Sequence, residues 1–217
     1  MHYNYVVNNM KTVLCYGDSN TYGYNPENGL RYPKEIRWTT ILQDLLGGGY
    51  EVIVEGLNGR TTAYDRADGA FKNGLTPLTA ILGSHKPLDY IIFMLGTNDC
   101  NKDLDLSSND IKDGMEKLIK ETIYDMSFMQ DYMPIIIIVV PARIKDEYKI
   151  SPFQDQLNEE SVNKSKALAS LYKELAYKYN LEYLDGTDIL EVSSIDSEHL
   201  TVKGHNKLAH LLKEIIN

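Results

Sequence analysis

Five short apolar runs rich in β-branched residues, separated by stretches of helical spacing, constrain this chain more than any other feature. The runs are Thr12–Tyr16, Glu51–Glu55, Tyr90–Leu95, Ile135–Val140 and Leu181–Leu184. They show little alternation of polar and apolar residues, which is how strands covered on both faces read. Between them, Trp38, Ile41, Leu42, Leu45 and Leu46 form one helical face, and Ile111, Met115, Leu118, Ile119 and Thr122 a second. Leu168, Leu171, Tyr172, Leu175 and Tyr179 form a third, and Leu208, Leu211, Leu212 and Ile215 a fourth. Strand and helix in alternation predict a parallel sheet between two helical layers. With 217 residues the chain is expected to form one α/β domain.

The formal net charge is -9, from 31 acidic and 22 basic residues. That field repels a phosphate backbone or an anionic membrane surface, so neither nucleic acid nor membrane is expected as a partner. Two cysteines, Cys15 and Cys100, are too few for a disulfide framework and are expected as buried or half-buried free thiols. The longest apolar run, Ile135–Val140, is strand-sized and far too short to span a bilayer. The opening MHYNYVVNNMK lacks the pattern of a signal peptide, so a cytoplasmic location is expected. Met10-Lys11 directly precedes the first strand, which makes residues 1–9 a candidate for a dispensable extension. No pair of histidines has ligand spacing with carboxylates nearby, so no metal site is expected, and no cofactor.

Three long irregular stretches, Asn20–Glu35, Asn58–Asn73 and Pro141–Gln156, each follow a predicted strand or the turn after it. Ligands of open α/β sheets bind beyond the carboxyl ends of the strands, so these stretches are expected to wall a site. Ordinary connections are shorter, about 2–6 residues.

Four motifs fall at that edge. Strand one runs into Gly17-Asp18-Ser19-Asn20, where the serine is either a nucleophile or a simple helix cap. Strand two ends in Glu55-Gly56-Leu57-Asn58-Gly59-Arg60, whose glycine either lets a carbonyl approach its N–H or only makes a turn. Strand three ends in Gly96-Thr97-Asn98-Asp99, with an amide donor that serves equally as a turn residue. Before the last helix stands Asp196-Ser197-Glu198-His199, a carboxylate spaced to orient an imidazole. Each motif alone is weak. Together they supply a nucleophile, two oxyanion donors and an oriented base in strand order on one edge of the sheet.

These motifs resemble the four blocks of the SGNH (GDSL-type) hydrolases over nearly the whole chain. The likeness is greatest to the branch of bacterial arylesterases and acyltransferases, through GDSNTYGYNP, RWTTIL, EVIVEGLNGRTT, DYIIFMLGTND and HLTVKGHNKLA. The resemblance implies a flavodoxin-like three-layer α/β/α sandwich with a five-stranded parallel sheet. It implies Ser19 as nucleophile, His199 as base and Asp196 as its orienting acid. The Ser19 and Gly59 N–H groups and the Asn98 side chain would form the oxyanion hole. Asn20 departs from the leucine that named the GDSL group. Ser197-Glu198 replaces a commoner Gly-Val or Gly-Ile pair and sets an extra carboxylate beside His199. Tyr22 stands where relatives often carry tryptophan and Asn58 where they carry serine, so both are expected to line the substrate pocket.

The expected activity is hydrolysis of a small-molecule short-chain carboxylic ester through an acyl-enzyme, with acyl transfer to another alcohol as a variant. A carbohydrate acetyl esterase is the rival within the enzyme class. A non-catalytic flavodoxin-like binding module is the rival outside it, against which GDSNTYG is a poor phosphate loop. The same resemblance implies a homo-oligomer. Arg60 is expected either to contact substrate or to pin its loop through an ion pair. Asp18 and Asp99 are expected to hold loops through backbone amides.

Overall fold

The computed structural model describes residues 10–216, so the expected extension at residues 1–9 lies outside the described residues. All five strands form where the apolar runs place them: β1 (Lys11–Gly17), β2 (Tyr50–Gly56), β3 (Tyr90–Met94), β4 (Ile135–Val140) and β5 (Glu182–Asp185). Every pairing is parallel and the sheet order is β2-β1-β3-β4-β5. This is the flavodoxin-like order, in which connections leave β1 toward opposite sides and open a crevice between β1 and β3.

Successive side chains of a strand point to opposite faces, and the core divides accordingly. Leu14 and Tyr16 of β1 join Ile91 and Phe93 of β3 on one face; Val13 and Cys15 join Ile92 and Met94 on the other. The first face is covered by α3 (Leu78–His85), α4 (Ser108–Met129) and α5 (Glu159–Tyr179). The second is covered by α2 (Trp38–Leu46) and α6 (Val202–Ile215). The result is the three-layer sandwich expected from the sequence. The continuous apolar reading holds for β1, β3 and β4, which are buried throughout apart from their first residues in β1 and β4. It fails for β2 and β5, which lie at the sheet edges and are only partly covered.

Four helices coincide with the predicted faces. Helix α3 shows no helical face in the sequence because only Leu78 and Leu82 of its eight residues are buried, too few to mark a period. The single turn α1 (Ser19–Tyr22) is also invisible to periodicity. Helices α4 and α5 begin with reciprocal caps, Ser107 with Asp110 and Asn158 with Ser161, which satisfy N–H groups that the first turn leaves unpaired. Cys15 and Cys100 are buried free thiols. Among the described residues no helix is long and apolar enough to cross a membrane.

Candidate active site

The carboxyl end of β1 leads into α1 through Gly17 and Asp18. A Cβ on Gly17 would lie 2.1 Å from Thr21 Oγ1 and 2.9 Å from the Met94 carbonyl, so only glycine allows this close a turn. Asp18 caps α1 by accepting the Asn20 N–H at 2.9 Å, and Gly23, with φ 88°, ends it. Ser19 is thereby held at the crevice edge, 8% exposed.

The loop before α6 brings the imidazole. His199 Nε2 lies 2.8 Å from Ser19 Oγ, and His199 Nδ1 lies 2.8 Å from Asp196 Oδ2. Asp196 Oδ1 also accepts the backbone N–H of His199 at 3.1 Å and of Glu198 at 3.3 Å. With both oxygens committed to its own loop, Asp196 fixes the tautomer: Nδ1 donates, and Nε2 is left to accept the Ser19 hydroxyl proton. Ser151 donates from Oγ to the Asp196 carbonyl at 3.0 Å, tying the 141–156 loop to this turn.

Gly59 sits in the turn after β2 with φ 80°, and its N–H donates to no protein acceptor among the described residues. Asn98 follows β3 in a short 3₁₀ turn; its Nδ2 donates to the Arg60 carbonyl at 3.1 Å and lies 3.4 Å from Asp18 Oδ2. Ser19, Asn58, Gly59, Asn98, Glu198 and His199 share one cleft of about 210 Å³ with Tyr24, Arg66, Lys72, Phe153 and Gln156. All three long loops contribute to its walls.

Tyr22 is placed elsewhere. Its ring lies under the Arg31 guanidinium, 4.3 Å from ring centroid to Cζ, and it does not line the cleft. The aromatic wall is Tyr24 and Phe153, whose ring centroids stand 4.3 Å and 5.8 Å from that of His199. Tyr24 lies beyond the left-handed Gly23, which turns the chain back toward the site. The sequence pointed to Tyr22 alone; Tyr24, two residues on, takes the place at the cleft because the backbone reverses at Gly23. Phe153, Gln156, Arg66 and Lys72 were signalled by the length of their loops but by no motif.

Arg60 does not face the cleft and forms no ion pair among the described residues. It is 4% exposed, lies over the Tyr16 ring at 4.2 Å, and donates to the carbonyls of Gly17 (3.0 Å) and Glu55. It pins the β2 turn to the end of β1 through backbone oxygens. Asp18 and Asp99 hold backbone amides as expected, those of Asn20 and Thr62.

Burial disfavours charge at several of these groups. It pushes the Asp18 and Asp99 carboxyls up to about 6 and Glu198 to about 7. At His199 burial opposes protonation. The hydrogen bond that His199 donates to Asp196 and the negative fields of Glu198, Asp196 and Asp18 outweigh it, and the imidazole is raised above its ordinary value. His205 has no carboxylate partner among the described residues, and burial drives it down to about 3.

The profile of the GDSL-like Lipase/Acylhydrolase family matches residues 15–207. The chain belongs to that family. As a GDSL-like protein it is a carboxylic ester hydrolase of the serine type, and the binding-module reading falls away. Among solved structures it is similar to a carbohydrate acetylesterase from Sinorhizobium meliloti, with 35% identity and a TM-score of 0.88. That match covers 95% of this chain and 98% of the other. It is similar also to the aryl esterase of M. smegmatis, with 31% identity, a TM-score of 0.88, and coverage of 95% and 98%. No curated protein sequence gives a significant match. The α/β sandwich of this GDSL-like chain is therefore shared with esterases over nearly its full length.

Proposed function

We propose that this enzyme hydrolyses short-chain carboxylic esters in two steps through an acyl group on Ser19. The observation that carries the reading is the continuous chain Ser19 Oγ–His199 Nε2–Asp196 Oδ2, with 2.8 Å at each link. Ser19 Oγ attacks the ester carbonyl as its proton passes to His199 Nε2. The carbonyl oxygen, now negative, is held by the Ser19 and Gly59 N–H groups and by Asn98 Nδ2, each donor contributing about 3–4 kcal/mol to the transition state. Collapse expels the alcohol, which takes the proton from His199. Water, or a second alcohol, then attacks the acyl-enzyme by the same route in reverse, and acyl transfer is the second outcome. The small cleft and its aromatic wall of Tyr24 and Phe153 favour a short acyl group.

A carbohydrate acetate is the second substrate reading. It is favoured by the polar side chains of Asn58, Arg66, Gln156 and Glu198 in the cleft. The likeness to the Sinorhizobium meliloti carbohydrate acetylesterase supports it as well. A cytoplasmic location belongs to the same proposal, as does action as a single domain, which the one five-stranded sheet supports. Self-association belongs to the proposal too, through the long 141–156 loop, and light scattering tests it by mass.

The deciding experiment is labelling with a fluorophosphonate, followed by mapping of the adduct. Labelling is expected on Ser19 and absent in Ser19→Ala, whose turnover should fall by about four to six orders of magnitude with the fold intact. Near wild-type turnover in that variant ends the mechanism. A panel of p-nitrophenyl esters of rising chain length, set against acetylated sugars, separates the two substrate readings.

A further inference from the structure

Ser19 and His199 are 180 residues apart, and the loop that carries His199 must be registered against α1 to within a fraction of an ångström. We propose that Asn20 is the positioning residue that sets this register, an inference that rests on the reading of Ser19 and His199 as nucleophile and base. The Asn20 side chain bonds the backbone on both sides of the histidine. Its Oδ1 accepts the Leu200 N–H at 2.8 Å, and its Nδ2 donates to the Glu198 carbonyl at 3.2 Å. The residue next to the nucleophile therefore grips the residues before and after the base.

Asn20 is itself anchored. Its N–H is held by Asp18 at 2.9 Å, and its carbonyl accepts Trp38 Nε1 at 3.1 Å. Trp38, the first residue of α2, is 1% exposed, and its own N–H donates to His205 Nδ1 on α6 at 3.3 Å. Neutral His205 supplies that acceptor lone pair, in keeping with its strongly disfavoured protonation. Helices α2 and α6 thus hold Asn20 from behind while its amide holds the His199 loop in front. Asn20 is 4% exposed and does not line the cleft, so its effect reaches the reaction only through geometry.

The contacts of the Asp196 carboxylate lie within the histidine's own loop and do not depend on Asn20. Removing the clamp should therefore move the base relative to the nucleophile while its main electrostatic partners, Asp196 and Glu198, stay beside it in the same loop. That separates positioning from a general loss of structure.

The test uses the full chain with Asn20→Leu, of similar size but without hydrogen-bonding atoms, and Asn20→Asp, which keeps an acceptor for Leu200. Turnover of p-nitrophenyl acetate and the rate of fluorophosphonate inactivation are measured from pH 5 to 9, alongside thermal melting. Asn20→Leu should lose about 10²-fold in both kcat and inactivation rate, the scale of a 1 Å misplacement. KM should stay within about twofold and the acid limb of the pH profile should not move. Asn20→Asp, with its shorter bond to Leu200 retained, should lose less at the pH plateau. Wild-type rates in either folded variant, or a loss confined to KM, overturn the proposal. If Ser19→Ala is inactive while Asn20→Leu is wild-type, the positioning role fails and the esterase mechanism stands. If Ser19→Ala stays active, both fail.

Discussion

Asp99 carries Thr62: its two carboxylate oxygens each accept the Thr62 N–H at 3.0 Å, and Oδ1 also accepts the Thr62 hydroxyl at 2.5 Å. Both residues are fully buried. Through this contact the end of β3 fixes the stretch that follows Gly59, so two of the candidate oxyanion donors share one support. Asp99→Ala strands a buried N–H and a buried hydroxyl, at about 1–3 kcal/mol for each unsatisfied group. A lower denaturation midpoint and a loss of kcat are expected together. A stability loss with unchanged kcat would show that Asp99 supports the fold but not the site.

Asn98 stands one residue earlier and is the donor that a side-chain substitution removes cleanly. One N–H is committed to the Arg60 carbonyl, while the 3.4 Å separation from Asp18 is long for a hydrogen bond and leaves the second proton weakly held. Asn98→Ala should lower kcat by about 10²–10³-fold with KM little changed. Steady-state kinetics on a p-nitrophenyl ester check this. A KM effect alone would move Asn98 from the oxyanion hole to ground-state binding.

The sequence revealed most about what repeats and least about what faces where. Sustained apolar runs such as Ile135–Val140 located strands because burial on both faces demands them, and helices long enough to show a period were located too. Helix α3, with two buried residues, carried too little period to be seen. At the site, strand order on the sheet assembled Ser19, Gly59, Asn98 and His199 before any distance was known. Tyr22 was expected at the pocket and Tyr24 was missed, because which of them reaches the cleft depends on a left-handed turn at Gly23. Arg60 read as a substrate contact or an ion-paired pin of its loop, and its burial over Tyr16 follows only from the packed turn. The Asn20 clamp joins residues 180 apart, and no local spacing signals such a bond.

Glu198 links activity and stability through pH. Its carboxylate lies 3.9 Å from His199 Nδ1 and is among the negative groups that hold the imidazole above its ordinary value. Only neutral His199 can accept the Ser19 proton, so activity should rise with pH through a midpoint above the ordinary histidine value. Glu198→Gln removes one of the negative fields, and the acid limb of kcat/KM should move to lower pH. Glu198 itself titrates near 7, above its unfolded range near 4.3. A carboxyl raised on folding contributes stability below its unfolded pKa and loses it as pH climbs through the folded one. Between about pH 4.5 and 7 the wild type should therefore lose stability that Glu198→Gln does not. Melting temperatures of both proteins at pH 5 and pH 8 check the sign; parallel declines would remove Glu198 from the account.

Two glycines near the site are held for different reasons, and alanine substitution should separate them. A Cβ on Gly56 would fall 2.2 Å from Tyr22 N and 2.6 Å from Thr21 C, both backbone atoms of α1 that no rotamer change can clear. Gly56→Ala must push β2 away from the turn that carries Ser19. Overpacking of this kind costs about 1–3 kcal/mol or more, and here the displaced backbone belongs to the nucleophile. Stability and kcat should both fall. A Cβ on Gly59 would meet only the Lys72 side chain, at 3.1–3.3 Å, but the backbone there has φ 80°. Gly59→Ala pays about 1–2 kcal/mol for a left-handed residue, and the flexible Lys72 can give way. If that strain relaxes by turning the peptide, the Gly59 N–H leaves the oxyanion position and kcat falls more than stability alone explains. Melting curves and kcat for the pair decide it, and a larger stability loss for Gly59→Ala than for Gly56→Ala contradicts this ordering.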